Sequence, residues 1–226
     1  FVNTPGNPTG SIIPAAQLEA LATLCRDQGL WLVCDEVYSM FTYDGRHRSL
    51  RSCVKQLDKV VMIDGLSKSH AMSGWRVGWV VAPEGLVEQL GNYAGATLFG
   101  CPQFIQDASA FALENDQVYV EQMRREYKQR RDLVLKRLGM LDGLVCHRPH
   151  AGMFVMCEVG GTGMNGREFA AALLEAEQVS VVPGDAFGPT ADNCVRIGLA
   201  QPQHVLKKAC KRIKAFIDSL TEVPPG

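Results

Sequence analysis

The 226-residue sequence contains no apolar run near the roughly 20 residues that a bilayer-spanning helix needs, and no recognisable signal peptide is expected. It has almost no net charge: 23 lysines and arginines stand against 24 acids, for a total of −1. That balance provides no electrostatic case for nucleic acid or an anionic membrane surface as a partner. None of the eight cysteines, at positions 25, 34, 53, 101, 146, 157, 194 and 210, forms a Cys-x-x-Cys pair or a Cys/His cluster at zinc spacing, so no metal site is expected. Cys34 and Cys157 fall inside apolar, strand-like runs, where small buried thiols are common. The expectation is therefore a reduced, cytoplasmic protein. Internal repeats and low-complexity tracts are also missing. So is an initiating methionine: Phe1 opens the chain partway through a strand, and a fragment lacking its N-terminal part is expected.

What remains is an ordinary globular composition, 46% apolar and 21% charged, enough for one large domain or two smaller ones. Residues 14–28 read as a helix, with Leu18, Leu21, Leu24 and Cys25 at helical spacing, Pro14 in the first turn and Gly29 as the stop. LWLVCDE, KVVMIDGLSKSH and WRVGWVVAP are apolar runs ending in polar loops or Pro83, the pattern of buried parallel strands. Strands alternating with helices predict an α/β fold with a mostly parallel sheet, whose functional residues collect at the carboxyl ends of the strands.

From Gln103 to about Leu138 the pattern is one long helix, or two with a break near Asn115. The basic stretch RREYKQRRDLVLKR is interspersed with Glu126 and Asp132 and reads as a solvated helix face. Beyond it, MFVMCEV, GREFAAALLEAE, VSVVPG, NCVRIGLA and HVLKKACKRIKAFIDSL alternate as a small α+β domain. The boundary is placed near residue 127, giving 1–126 and 127–226. Within the second part, GGTGMNG carries Gly161-x-Gly163-x-x-Gly166, with Asp185 about 20 residues on, as a dinucleotide fingerprint asks. A glycine-rich loop is the preferred reading and NAD binding a distant alternative, since Pro183-Gly184 separates Asp185 from its strand.

Six polar residues are predicted to gather at one sheet edge. Asn7 lies in the PGNPTG turn, Asp35 and Tyr38 end one strand, and Ser67, Lys68 and Arg76 follow the next. Each alone has a bland explanation as a cap, a solvated lysine or a surface ion pair. Their convergence points to a site.

The segments NTPGNPTG, CDEVYS, GLSKSHAMSGWRVGW, AGMFVM, VPGDAFG and VRIGLA resemble the fold-type I pyridoxal-phosphate aminotransferases of class I/II, in family order over essentially the whole chain. Around SKSHAMSGWRVGWVV and FIQDA the likeness is to bacterial arginine–pyruvate transaminases. The resemblance implies the C-terminal part of that fold, with 1–126 in the large cofactor-binding domain and 127–226 as the small domain. It implies pyridoxal 5′-phosphate as cofactor, held by Lys68 as a Schiff base, with Lys68 also the proton carrier. Such a lysine acts as a neutral amine, which requires a pKa below the ~10.4 of a free lysine. Asp35 is implied at the pyridine nitrogen, Tyr38 and Asn7 at the phenolic oxygen, and Ser67 and Arg76 at the phosphate. Arg196, otherwise an edge-strand arginine in a surface salt bridge, is implied as the ligand of the substrate α-carboxylate. The implied substrates are an amino acid and a 2-oxo acid, and the implied assembly is a homodimer. Two rival readings are a transcription regulator with an aminotransferase-like sensor module, and a C–S lyase of the same fold. An upstream helix-turn-helix would mark the first, and product analysis the second.

Overall fold

The computed structural model describes residues 1–45, 47–55 and 58–221. They divide into two compact units: residues 1–7, 11–124 and 150–152, and residues 8–10, 125–149 and 153 onward.

The first unit opens with strand β1 (Val2–Asn3) and helix α1 (Ala15–Asp27). Strand β2 (Leu32–Asp35), the short helix α2 (Leu50–Cys53), strand β3 (Val60–Gly65), the short helix α3 (Leu66–Ser69) and strand β4 (Gly78–Val81) follow. Helix α1 ends in a Schellman arrangement: Leu30 N–H bonds the Cys25 carbonyl at 2.7 Å and Gly29 N–H that of Arg26 at 3.1 Å. Gly29 supplies the left-handed φ of 67° which that cap demands. One face of α1 (Leu18, Ala22, Cys25) packs on Leu32 and Cys34 of β2, Val60 and Met62 of β3, and Leu50. Burial pushes the Cys34 thiol up to about 12, so Cys34 serves as a small apolar residue.

The sheet runs β1-β2-β3-β4. The first two pairings are parallel, but β4 runs antiparallel to β3. WRVGWVVAP thus departs from the parallel series predicted for it. The connection from β3 holds only α3 and a 3-10 turn over Ser73–Trp75. With no full crossover helix to return the chain to the other end of the sheet, it folds back beside β3.

Helices α4 (Glu84–Leu98), α5 (Gln103–Asn115) and α6 (Gln117–Leu138) follow, so the predicted helical stretch is broken at Asp116. The basic half of α6 departs from a solvated face. Arg131 is fully buried, because it shares a stripe with the buried Tyr127, Val134 and Leu138. Its Nη1 donates to the Pro149 carbonyl at 2.9 Å and its Nε to Asp132 Oδ1 at 3.0 Å, the pairing a buried charge requires.

The second unit contains β5 (Val145–Cys146), β6 (Phe154–Glu158), α7 (Gly166–Glu177), β7 (Val182–Pro183), β8 (Cys194–Gly198) and α8 (Gln203–Thr221). Its sheet is antiparallel throughout, in the order β5-β6-β8-β7. Phe169 of α7 meets Phe216 of α8 edge-on, with ring centres 5.4 Å apart. Helix α7 starts with a capping box, in which Asn165 accepts from Glu168 N–H and the Glu168 side chain from Asn165 N–H.

The glycine-rich segment before α7 answers to packing. A Cβ on Gly161 would lie 2.7 Å from Gly143 Cα, and one on Gly166 only 2.0 Å from the Cys194 carbonyl oxygen. Asp185 is held by Arg167, Nη2 to Oδ2 at 2.6 Å, and β6 neighbours the antiparallel β8 instead of a parallel β7. Gly166→Ala should therefore cost about 2–3 kcal/mol through overpacking against backbone that cannot rotate away. Gly163, with φ 81° and open space around it, should cost only about 1 kcal/mol as alanine, through left-handed strain. Denaturant midpoints of the two variants in the full-length protein would rank them; equal losses would refute the packing account.

Candidate active site

The carboxyl ends of β1, β2 and β3 share one edge, because their register aligns Asn3 with Asp35 and Asp35 with Ile63. The loop after β1 is tied to this edge through backbone and side chain. Thr4 N–H and Asn3 Nδ2 both donate to the Asp35 carbonyl, each at 3.0 Å. Asn3 Oδ1 accepts Asn7 N–H at 2.6 Å, and the buried Thr4 Oγ1 accepts Ile13 N–H at 3.0 Å. Asn7 is exposed on this anchored turn. Asn3 and Thr4 are missing from the predicted site; the only signal for them was a polar pair directly after an apolar strand residue.

Asp35 ends β2, and its Oδ1 accepts Val37 N–H at 3.1 Å. Tyr38 follows in the turn, almost wholly buried. Ser67 and Lys68 lie on α3 directly after β3, both partly buried. Lys68 Nζ stands 5.9 Å from the centre of the Tyr38 ring. The structure therefore brings Asp35, Tyr38, Ser67 and Lys68 to one edge, with Asn7 on the loop bonded to it. Arg76 lies on the β3–β4 connection, exposed, with Nη1 donating to the Ser73 carbonyl at 2.7 Å. Its backbone is left-handed at φ 55°, as is Ala71 at 54°. Such conformations cost about 1–3 kcal/mol each in a residue other than glycine and cluster at functional loops.

Two more carboxylates border the edge, and their environments differ. Glu36 is buried, which works against its charge. Hydrogen bonds from His47 Nε2 (3.4 Å), Leu50 N–H (2.7 Å) and Ser49 outweigh that and hold it below the ordinary range. Asp64 is pushed up to about 6, first by burial, with the Glu36 and Asp35 charges adding. Its Oδ1 accepts Gly65 N–H at 2.7 Å, and its Oδ2 faces Ser39 Oγ at 3.5 Å. Beside Lys68, His70 Nδ1 meets Ser69 Oγ at 2.8 Å. His70 Nε2 is buried with no partner among the described residues, and burial holds this imidazole below its usual range.

Arg196 belongs to the second unit. β8 lies between β6 and β7, so Arg196 is not on an edge strand. Its guanidinium carbon lies 4.9 Å from the Phe154 ring centre and 4.7 Å from that of Phe187. Both phenylalanines fall in segments quoted for the family resemblance, yet neither was singled out. Among the described residues no cluster of His, Cys, Asp and Glu suits a metal ion, and no helix is long and apolar enough to cross a membrane.

The family described as aminotransferase class I and II matches residues 1–213. An arginine–pyruvate transaminase of Pseudomonas aeruginosa is 47% identical over 212 residues, 94% of this chain and 54% of the relative. An aromatic-amino-acid aminotransferase of Thermococcus litoralis is 37% identical over 96% of this chain and 56% of its own length. Among solved structures, an aromatic aminotransferase from Pyrococcus horikoshii superposes with a TM-score of 0.93 at 34% identity, covering 98% of this chain and 60% of that one. The chain thus spans about half the length of the curated relatives it matches.

Asp64 gives a pH signature. The unfolded chain releases this proton near the ordinary 3.8 and the folded protein near 6, so stability declines as pH rises through that window and stays lower above it. Asp64→Asn should remove the decline and leave the full-length protein more stable than wild type at pH 8, by about 1–2 kcal/mol. Denaturant midpoints measured from pH 4 to 8 would test this; parallel curves for the two proteins would refute it.

Proposed function

This chain belongs to the aminotransferase class I and II family, and from that premise we propose that it is the lysine-bearing part of a pyridoxal-phosphate aminotransferase. The whole protein moves the amino group of an L-amino acid to a 2-oxo acid. The observation that carries the reading is the convergence of Asp35, Tyr38 and Lys68 at the ends of β2 and β3, with Nζ 5.9 Å from the Tyr38 ring.

The family depends on pyridoxal 5′-phosphate, and the donor set fits that group. An amine suits its aldehyde, a carboxylate its ring nitrogen, a phenol and an amide its phenolic oxygen, and a guanidinium and a hydroxyl its phosphate. When bound, this cofactor supplies an electron sink for negative charge at the substrate α-carbon. Lys68 Nζ holds the cofactor and carries the proton taken from that α-carbon. Asp35 keeps a proton on the ring nitrogen. Tyr38 Oη and the Asn7 amide orient the ring through its phenolic oxygen, while Ser67 and Arg76 bind the phosphate. Arg196 binds the substrate α-carboxylate, and the Phe154 and Phe187 rings fix the plane of its guanidinium and keep water from its faces.

We assign residues 1–126 to the large domain and 127–226 to the small one, and the assembly to a homodimer. Exposed apolar side chains on and beside α4 and α5, among them Tyr93, Phe99, Phe104 and Phe111, support a covering partner, since apolar patches of this kind mark interfaces. Thiols without disulfides fit a reducing, cytoplasmic setting.

Borohydride reduction of the full-length protein loaded with cofactor, followed by peptide mapping, should place the pyridoxyl label on Lys68. A label on Lys55 or Lys59 would overturn the assignment. Arg196→Lys keeps the charge and loses the fork, and should lower kcat/KM for both amino donor and 2-oxo acceptor while the bound-cofactor spectrum stays unchanged. Unaltered kinetics would return Arg196 to a structural role. The preferred pair is arginine and pyruvate, a reading supported by the 47% identical relative of that name. A panel of arginine, lysine, alanine, aspartate and an aromatic donor tests it. If aspartate or the aromatic donor leads tenfold, about 1.4 kcal/mol of transition-state discrimination, the substrate assignment fails and the aminotransferase reading stands.

A further inference from the structure

Cys146 and Cys157 stand directly opposite each other in the antiparallel pair β5–β6. His147 N–H bonds the Met156 carbonyl at 2.9 Å, which places the two cysteines at a site flanked by hydrogen bonds and not exchanging them. At such sites opposed Cα atoms lie about 4.5 Å apart, inside the span a disulfide tolerates. Their Sγ atoms are 2.9 Å apart; closing to a bond of about 2.05 Å asks for a shift smaller than a side-chain rotation.

The two thiols differ in access and in acidity. Cys157 is fully buried, whereas Cys146 is partly exposed on the edge strand between the exposed Val145 and His147. The hydrogen bond from Cys157 holds the Cys146 thiol below its ordinary range and pushes Cys157 well above its own. Cys146 is therefore the thiol placed to attack, and Cys157 the one placed behind it. The other two cysteines of this unit, Cys194 and Cys210, are buried, and burial raises both.

We propose that Cys146 and Cys157 form a redox-active dithiol, which a small-molecule disulfide of the glutathione class converts reversibly into a disulfide across β5 and β6. The Cys146 thiolate attacks one sulfur of the oxidant, forming a mixed disulfide and releasing one thiol. Cys157 then gives up its proton, and its sulfur attacks the Cys146 sulfur and displaces the second thiol. The protein loses two protons and two electrons, and the oxidant takes them up to become two thiols. A reducing compartment keeps the pair open, and an oxidising shift closes it.

The test uses the full-length protein incubated with oxidised glutathione, quenched with iodoacetamide and digested with chymotrypsin, which separates the two cysteines by cutting at Phe154. Wild type should give a cross-linked peptide pair joining Cys146 to Cys157, lost on treatment with dithiothreitol. Cys157→Ser should stop at a glutathione adduct on Cys146, and Cys146→Ser should leave Cys157 unmodified. Three outcomes would overturn the proposal: a lasting glutathione adduct on Cys146 in wild type, a bond from Cys157 to Cys194 or Cys210, or no reaction of either thiol in the folded protein while the denatured chain reacts.

Discussion

The candidate site depends on one constraint, the register of β1, β2 and β3. Asn3, Asp35 and Ile63 form a single line across the sheet, so three separate segments reach the same edge within two residues of one another. The alternation in β2 fixes that register, because Leu32 and Cys34 are buried while Val33 and Asp35 are less so. A slip of one residue would turn Asp35 toward α1 and Cys34 outward, reversing every side chain of the strand. The Asp35 carbonyl adds a second lock by accepting from both Thr4 N–H and Asn3 Nδ2. The backbone that positions the acid thus also positions the loop bearing Asn7.

Electrostatics around that edge follow from crowding. Asp35, Glu36 and Asp64 are close enough to act on one another, and burial makes three ionised carboxylates costly. Glu36 escapes through its own donors, His47, Leu50 and Ser49, which fix it as an ionised structural group facing α2. Asp64 takes the opposite route and holds its proton longer. Asp35 ends β2, where its Oδ1 accepts Val37 N–H. Neighbouring acids in one sequence thereby acquire different tasks from their surroundings alone.

Much of this was legible in the sequence, and the misses share a cause. Apolar runs ending in polar loops located β2, β3 and the residues that follow them. The helix stop at Gly29 could be read because its φ requires glycine. The direction of β4 could not, since apolar periodicity is the same for parallel and antiparallel strands and only the length and content of the connection decides. Arg131 was assigned to a solvated face because composition counts charges without asking which stripe they occupy; its spacing from Tyr127 and Val134 held the answer. Glycines 161 and 166 mimicked a phosphate loop because close backbone packing and phosphate binding demand the same missing Cβ. Asn3 and Thr4 escaped notice because their work is done through bonds to a strand far away in sequence.

Two of the arginines in the second unit meet their neighbours in different ways. Arg131 is held through its edges, with N–H groups spent on the Pro149 carbonyl and the Asp132 carboxylate. Its charge is neutralised within the fold. Arg196 sets its guanidinium against the rings of Phe154 and Phe187. Aromatic contact with the face of a guanidinium fixes its plane and draws on the delocalised charge. Bidentate binding of a carboxylate needs such a fixed plane. Sequence alone reads both as arginines beside apolar residues. Phe154 reaches the guanidinium through the antiparallel pairing of β6 with β8, which sets Phe154 and Arg196 on adjacent strands.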